Sequence, residues 1–305
     1  MLRFIARRLS LMVIALWVVV TVTFFLAHMI PGGPFDREKP VPDVIKRNLE
    51  EKYHLNEPLW KQYLFYLGDI FRGDLGPSFK YPDRTVNDII EESFPVSAKL
   101  GFWAVFIATV LGVSLGSLSA LHQGGVIDSV SMFFAILFIS LPSFVIAPIF
   151  QYAFGVKLHL LPVANWGTWR HMILPALSLA LGPTAVIARL TRASMLEVLG
   201  NDYVKAAKAR GLHGLRVLII YALKNALIPV VTYLFPLIAA IFTGSFVVEK
   251  IFNVPGLGRY HVTSIYNRDY TVILGVTVFY AAFLIMMNLL ADITYALLDP
   301  RIRYE

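Results

Sequence analysis

The chain has 305 residues, 57% of them hydrophobic and 15% charged, and carries a formal net charge of +7. With a mean hydropathy of +0.65 it is too apolar for an ordinary soluble domain, in which charged residues make up about 25%, so the composition indicates a polytopic membrane protein. The absence of cysteine excludes disulfides, iron–sulfur clusters and a cysteine nucleophile. Basic residues clustered beside apolar runs read as orientation signals and anionic-lipid contacts, not as a nucleic-acid footprint.

Arg3, Arg7 and Arg8 precede an apolar run at residues 9–30 that is rich in Val, Leu and Phe. It exceeds the roughly 7–15-residue apolar core of a cleavable signal, and Ile30-Pro31-Gly32-Gly33 lacks the small-residue cleavage pattern. A retained first span with a cytoplasmic N-terminus is expected.

Residues 31–96 form a polar excursion in which acidic and basic side chains nearly balance. Asp43–Tyr53 and Leu59–Phe71 have helical character. Asn56-Glu57-Pro58 offers the second a capped start with proline in its first turn, and Gly73-Asp74-Leu75-Gly76-Pro77 ends it. Trp60, Tyr63, Leu64, Tyr66 and Leu67 give the segment something to pack, so it reads as a small extracytoplasmic insertion.

A second span is expected at residues 98–121, where Gly112 and Gly116 allow close helix approach in ordinary bundle packing. A third, 129–154, contains Pro142 and Pro148 and should be kinked. Trp166 and Trp169 anchor an interfacial loop over 155–170. A fourth span at 171–191 contains Pro175 and Pro183, and a fifth at 226–248 contains Pro229 and Pro236. Glu249–Tyr270 crosses the outer surface, a sixth span covers 271–298, and the tail Asp299-Pro300-Arg301-Ile302-Arg303 follows. The fold class is all-α with six transmembrane helices. Six spans put both termini on one side, and the basic clusters at the N-terminus and at 189–224 then both fall in the cytoplasm, as the positive-inside rule requires.

The stretch Arg189–Pro229 holds Arg189, Arg192, Lys205, Lys208, Arg210, Arg216 and Lys224 against only Glu197 and Asp202. Asn201 or Asp202 can cap a short helix, Lys208 and Arg210 suit its last turn, and Gly211 supplies a left-handed stop. From Leu215 onward Leu218, Ile219, Ala222, Leu223 and Ala226 recur at helical spacing. A capped helix, a glycine break and an amphipathic helix at the membrane surface suit docking of a cytoplasmic partner. A helix lying on lipid is the alternative, but Gly211 interrupts the pattern where such a helix would continue.

The chain carries no Gly-x-x-x-x-Gly-Lys-Ser/Thr phosphate loop and no His-Glu-x-x-His pair. Its seven histidines are scattered, and Gly256-Leu257-Gly258 reads as a tight turn. Lys99, Arg189, Glu249 and Asp292 lie near predicted span ends, leaving the spans nearly free of buried charge. An ion-driven secondary transporter places ionisable groups near the midplane, and a membrane enzyme needs a catalytic cluster; neither signature is present. The energy source is expected outside this polypeptide, which is not read as an enzyme.

Lys205-Ala206-Ala207, followed by Gly211 and later Ile228-Pro229, resembles the Glu-Ala-Ala…Gly…Pro loop of ATP-binding-cassette (ABC) importer permeases. Lys205 stands where the sugar importers have glutamate, and the Gly-to-Pro interval is longer than theirs; both departures resemble the peptide branch. Gly73-Asp74-Leu75-Gly76-Pro77-Ser78-Phe79, Ser93–Gly101, Leu141-Pro142-Ser143-Phe144-Val145, Thr243–Glu249 with Pro255-Gly256-Leu257-Gly258, and Leu298–Arg303 extend the resemblance to dipeptide and oligopeptide permeases along the whole chain. The likeness is greatest to the first oligopeptide permease subunit.

This resemblance implies a single type I ABC importer transmembrane domain over 1–305, with an extracytoplasmic helical insertion at 31–96 and a cytoplasmic coupling loop at 192–225. It implies a bacterial inner (plasma) membrane location with both termini cytoplasmic. The implied partners are a homologous second permease subunit, two cytoplasmic ABC ATPases, an extracytoplasmic peptide-binding protein and membrane lipid. It implies no cofactor in this chain, with ATP and Mg bound by the partner ATPases. Lys205, Ala206, Ala207, Gly211 and Leu212 are the expected ATPase-coupling residues: Ala206 and Ala207 permit close approach and Leu212 fills an apolar pocket. Glu249, Pro255, Gly256 and Gly258 are candidates for an outer gate, with a satisfied end-of-helix acid as the other explanation for Glu249. The expected cargo is an oligopeptide. The alternatives are a dipeptide, glutathione or a nickel chelate on the same architecture and, more remotely, a stand-alone secondary transporter.

Overall fold

A computed structural model of the chain describes residues 2–29, 55–81, 83–212 and 216–298. The predicted helix Asp43–Tyr53 and the tail Asp299–Arg303 lie outside them. Among the described residues the order is α1 (Leu2–Met29), α2 (Leu59–Phe71), α3 (Val86–Leu121), α4 (Val126–Ser140), α5 (Ser143–Lys157), α6 (Trp169–Leu199), α7 (Asp202–Ala209), α8 (Val217–Ala226), α9 (Ile228–Gly244), α10 (Phe246–Ile251), α11 (Leu257–Asn267) and α12 (Tyr270–Leu298). An isolated bridge between Pro77 and Thr85 is the extended pairing found among these residues.

Among the described residues, five stretches are long and apolar enough to cross a membrane: Arg8–Met29, Val86–Leu121, Trp169–Leu199, Ile228–Ile251 and Tyr270–Thr294. The third predicted span is not one kinked helix. α4 and α5 meet at 104°, so they form either a sixth, broken span or a re-entrant hairpin. Pro142 forces the break: it lacks the N–H needed to continue α4, and it pushes Leu141 into an extended conformation at φ −98° and ψ 114°. Pro142 then stands as the N-cap residue of α5.

α3 and α6 outrun their predicted bounds by the largest margins. α3 begins twelve residues early because Thr85 and Asp88 cap its start reciprocally: the Thr85 N–H donates to Asp88 Oδ2 at 2.8 Å, and the Asp88 N–H to Thr85 Oγ1 at 3.1 Å. α6 continues to Leu199, so Arg189 and Arg192 are helical and not loop residues. α2 has the predicted bounds but a different start. Pro58 is its N-cap residue, without a side-chain cap, and Gln62 Nε2 instead donates back to the carbonyls of Leu55 and Glu57 at 3.0 and 2.7 Å.

The chain divides into two compact units, residues 1–96 with 256–286 and residues 97–255 with 287–303. In the first, Phe24 and Ala27 of α1 are buried with Tyr270 and Leu274 of α12 under Tyr63 and Tyr66 of α2. Val86, Ile89 and Ile90 of α3 are buried with Leu257, Val272 and Val276. At Gly275 a Cβ would lie 2.6 Å from Val86 Cγ1, so only glycine permits this spacing. Leu11, Val13, Ile14, Trp17 and Leu26 of α1 remain exposed, an apolar surface suited to hydrocarbon.

In the second unit α6 is the central element, with α4, α5, α8 and α9 against it. Leu174, Ala180, Ile187, Ala188 and Met195 on α6 are almost completely buried. The predicted close approach is there. A Cβ on Gly112 would lie 2.7 Å from the Ile187 side chain, and one on Gly116 would lie 2.4 Å from the Ala188 carbonyl oxygen. The α3 backbone thus meets the Ile187 side chain at Gly112 and the α6 backbone at Gly116.

Candidate functional site

α7 leaves α6 through the turn Gly200-Asn201, and the Asn201 carbonyl accepts from Val204 N and Lys205 N at 3.1 and 3.2 Å. At the other end Gly211 takes φ +75°, and Leu212 N returns to the Ala207 carbonyl at 3.4 Å. That is the glycine stop expected from the sequence. Asp202 is exposed and its carboxylate pairs with Lys205 Nζ at 3.0 Å, a solvated contact within the helix.

The five expected coupling residues divide between two faces. Lys205, Ala206 and Gly211 are exposed. Ala207 is buried with Val204 in a cluster that also holds Ala120, Met195, Val198, Val217, Ala222 and Ala226, and Leu212 packs against it half-buried. Ala207 and Leu212 thus pack into the chain's own cluster, because helical spacing turns Ala207 inward beside Val204. Ala206 keeps the outward position.

α8 departs from the expected register. Val217–Leu223 is wound as a π-helix, in which residues five apart align. Val217 and Ala222 consequently share the buried face, while Ile219 and Ile220 point outward, 58% and 50% exposed. Asn225 Nδ2 donates to the Tyr203 hydroxyl at 3.1 Å, tying α8 to α7.

Just ahead of α7, immediately outside the predicted bounds of the third and fourth spans, lies a charged centre that the sequence did not announce. Asp128, in the first turn of α4, is 5% exposed. Arg192 of α6 grips it with both arms, Nε to Oδ1 at 2.6 Å and Nη2 to Oδ2 at 2.7 Å. Ser119 Oγ, from the last turn of α3, donates to Oδ1, and the Gly124 N–H donates to Oδ2 at 2.9 Å. The ends of three helices thus meet on one carboxylate, with both oxygens hydrogen-bonded and the charge paired.

The outer-gate candidates fall in different elements. Glu249 of α10 is fully buried. Its Oε1 accepts from Ser245 Oγ at 2.6 Å, whereas among the described residues Oε2 has no hydrogen-bond partner. Asn165 N donates to the Phe252 carbonyl at 2.8 Å and Gln151 Nε2 to that of Ile251 at 3.1 Å, which secures the segment after α10. Pro255 is exposed. Gly256 is the extended N-cap residue of α11, and Gly258 lies buried in its first turn, so Gly256-Leu257-Gly258 opens a helix instead of making an isolated tight turn.

Residues 112–304 match the family described as binding-protein-dependent transport system inner membrane component, and residues 1–101 match its N-terminal counterpart. The chain belongs to this family. This permease is 48% identical to the dipeptide transport system permease protein DppB of Bacillus subtilis (strain 168), over 99% of this chain and 98% of that one. It is 46% identical to the oligopeptide transport system permease protein OppB of Haemophilus influenzae, over the full length of both. Among solved structures, one titled as inward-facing conformations of the MetNI methionine ABC transporter superposes with a TM-score of 0.57 at 17% identity, covering 69% of this chain and 96% of that one. A structure titled as an amino acid ABC transporter with histidines gives 0.54 at 16% identity, covering 68% and 94%.

The permease is therefore a multi-pass inner-membrane subunit with the all-α fold of type I ABC importer transmembrane domains, a transport component and not an enzyme. As one component of a binding-protein-dependent system it works with other subunits. The Asp128–Arg192 centre of the permease escaped sequence reading because its partners lie 64 residues apart and Arg192 falls beyond the predicted end of the fourth span. An Asp in the first turn of α4, a few residues after the end of α3, was the available signal.

Proposed function

We propose that this permease forms, with a homologous second permease subunit, the translocation pathway for peptides released by an extracytoplasmic binding protein. Two cytoplasmic ATPases, which hold the ATP and Mg, drive it through α7. The observation that carries this reading is α7 itself: one face is locked into the buried cluster under it, while Lys205, Ala206 and Gly211 are left outside. A helix held on one side and bare on the other passes on an applied displacement that a flexible loop would absorb. A peptide is excluded from hydrocarbon by its unpaired backbone groups, so it needs a polar route between helices.

The whole chain acts in this reading as one transmembrane domain, with residues 31–96 extracytoplasmic, 192–225 coupling and both termini cytoplasmic. The basic clusters at the N-terminus and around α7 support that orientation. Glu249, Pro255, Gly256 and Gly258 belong to the outer side of the pathway. An oligopeptide cargo is supported by full-length relatives named for oligopeptides at 44–46% identity; a dipeptide cargo is the second reading, favoured by the 48% identity to a dipeptide permease.

The test is ATP hydrolysis by the reconstituted assembly, with and without binding protein and short peptides, comparing wild type with Gly211→Trp and Ala206→Trp. Peptide-stimulated hydrolysis that collapses in both variants while the assembly stays intact is the expected result. Equal stimulation in all three would remove α7 from the transmission path, and a response to another solute alone would move the cargo.

A further inference from the structure

The buried cluster under α7 does not end at α7. Ala120 of α3 and Met195 and Val198 of α6 belong to the same cluster as Val204 and Ala207. Ser119 and Arg192, next to Ala120 and one turn before Met195, are two of the groups that hold Asp128. Asp128 starts α4, and α4 runs without interruption to the break at Leu141-Pro142. A continuous chain of packed and hydrogen-bonded groups therefore leads from the exposed face of α7 to the broken pair of helices. At the carboxylate of Asp128 this chain passes through hydrogen bonds from both α3 and α6.

The chemistry of that point is directional. Apolar helix surfaces slide past one another in small shear steps, whereas a planar guanidinium bonded through Nε and Nη2 to two carboxylate oxygens sets both separation and rotation. With Asp128 shielded from water, salt screens the pair weakly. Gly116, whose missing Cβ lets α3 lie on the Ala188 carbonyl, removes the slack between α3 and α6 beside it.

We infer that Asp128 and Arg192 are the positioning pair that transmits displacement of α7 into α4, and through it to the break at Pro142. This rests on α7 being the element the ATPases move. Neither residue touches cargo or nucleotide in this reading. The pair makes α3, α4 and α6 move as one block.

Because the chain has no cysteine, thiols introduced into it can be labelled specifically on the purified subunit before assembly. In the complete reconstituted assembly, spin labels at Lys205→Cys and at the exposed Val126→Cys of α4 should give one narrow distance that ATP binding leaves unchanged. A second variant replaces the pair by apolar residues, Asp128→Leu with Arg192→Met, which removes both charges together and leaves no unpaired charge, although Ser119 Oγ loses its acceptor. It should assemble and hydrolyse ATP, yet the distance should broaden and shift with ATP, and uptake of labelled tri- to pentapeptides per ATP should fall by about tenfold. Asp128→Cys with Arg192→Cys, joined by a short bis(methanethiosulfonate) that forms a mixed disulfide with each thiol and releases methanesulfinate, should regain tight coupling and lose it when a reductant cleaves the disulfides.

A merely structural pair would give the opposite result: an unchanged narrow distance and undiminished uptake per ATP in the apolar variant. A wild-type distance that itself changes on ATP binding would equally overturn the inference. Ala206→Trp keeps the two levels apart. If it uncouples while the apolar pair does not, the joint is elsewhere and the role of α7 stands; if Ala206→Trp is also silent, the reading of α7 falls.

Discussion

Ser78 Oγ donates to Asp269 Oδ2 over 2.5 Å, joining two points 191 residues apart. Asp269 is 1% exposed and also accepts from the N–H groups of Phe79 and Lys80 at 3.2 and 3.1 Å and from Thr271 Oγ1 at 3.0 Å. One carboxylate thus fastens the end of the segment after α2 to the start of α12. Asp269→Ala strands several buried donors at once and should cost about 3 kcal/mol, against about 1 kcal/mol for Ser78→Ala. Thermal midpoints of the detergent-purified subunit would rank the two, and equal small losses would show that water replaces the carboxylate.

The glycines of α2 and α3 should respond in opposite directions to the same methyl group. At Gly116 a Cβ meets backbone at 2.4 Å, so Gly116→Ala must spread α3 from α6 and should destabilise by about 1–3 kcal/mol. Gly68 lies inside α2 with nothing within 4 Å; Gly68→Ala should stabilise by about 1 kcal/mol through helix propensity. Unfolding of the two purified variants by graded denaturant gives the sign of each.

Two neighbours on α7 should separate in the same manner. Ala207 is 5% exposed within its cluster, and Ala207→Leu overfills it at a cost of about 1–3 kcal/mol. Lys205 makes only an exposed pair with Asp202, so Lys205→Ala should change stability by less than about 0.5 kcal/mol. Loss of stability at Lys205 comparable to that at Ala207 would contradict the two-faced description of the helix.

His261 of α11 provides a pH signature. Its Nδ1 is buried without a hydrogen-bond partner among the described residues, and burial pushes its pKa down from the usual histidine value. The unfolded chain takes up the proton near pH 6.5 and the folded protein only below that. The contribution of His261 to stability is therefore complete above about pH 6.5 and is lost progressively as pH falls beneath it. The melting temperature of wild type should drop on acidification more than that of His261→Leu; parallel curves would assign the drop to other groups.

Local chemistry accounts for what was legible beforehand. Leu59–Phe71 could be bounded because a proline precedes it and Gly73, at φ +79°, follows. The stop at Gly211 was readable because the left-handed region is nearly closed to other residues. The early start of α3 was also written locally, in the Thr85…Asp88 spacing, although the charged residues around it disguised it as loop. Gly112 and Gly116 announced close packing without naming α6 as the helix they meet.

The sequence by itself determined the apolar runs and their near-uniform helical state, since hydrocarbon leaves a backbone no partner outside its own segment. Only the tertiary structure decided that α4 and α5 part at 104°, that Val217 and Ala222 share a face, that Ala207 looks inward while Ala206 looks outward, and that Asp128 meets Arg192. These depend on which helix ends converge. No local period encodes a contact between side chains 64 or 191 residues apart, and a charge that looks free along the chain is stabilised only when folding delivers its partner.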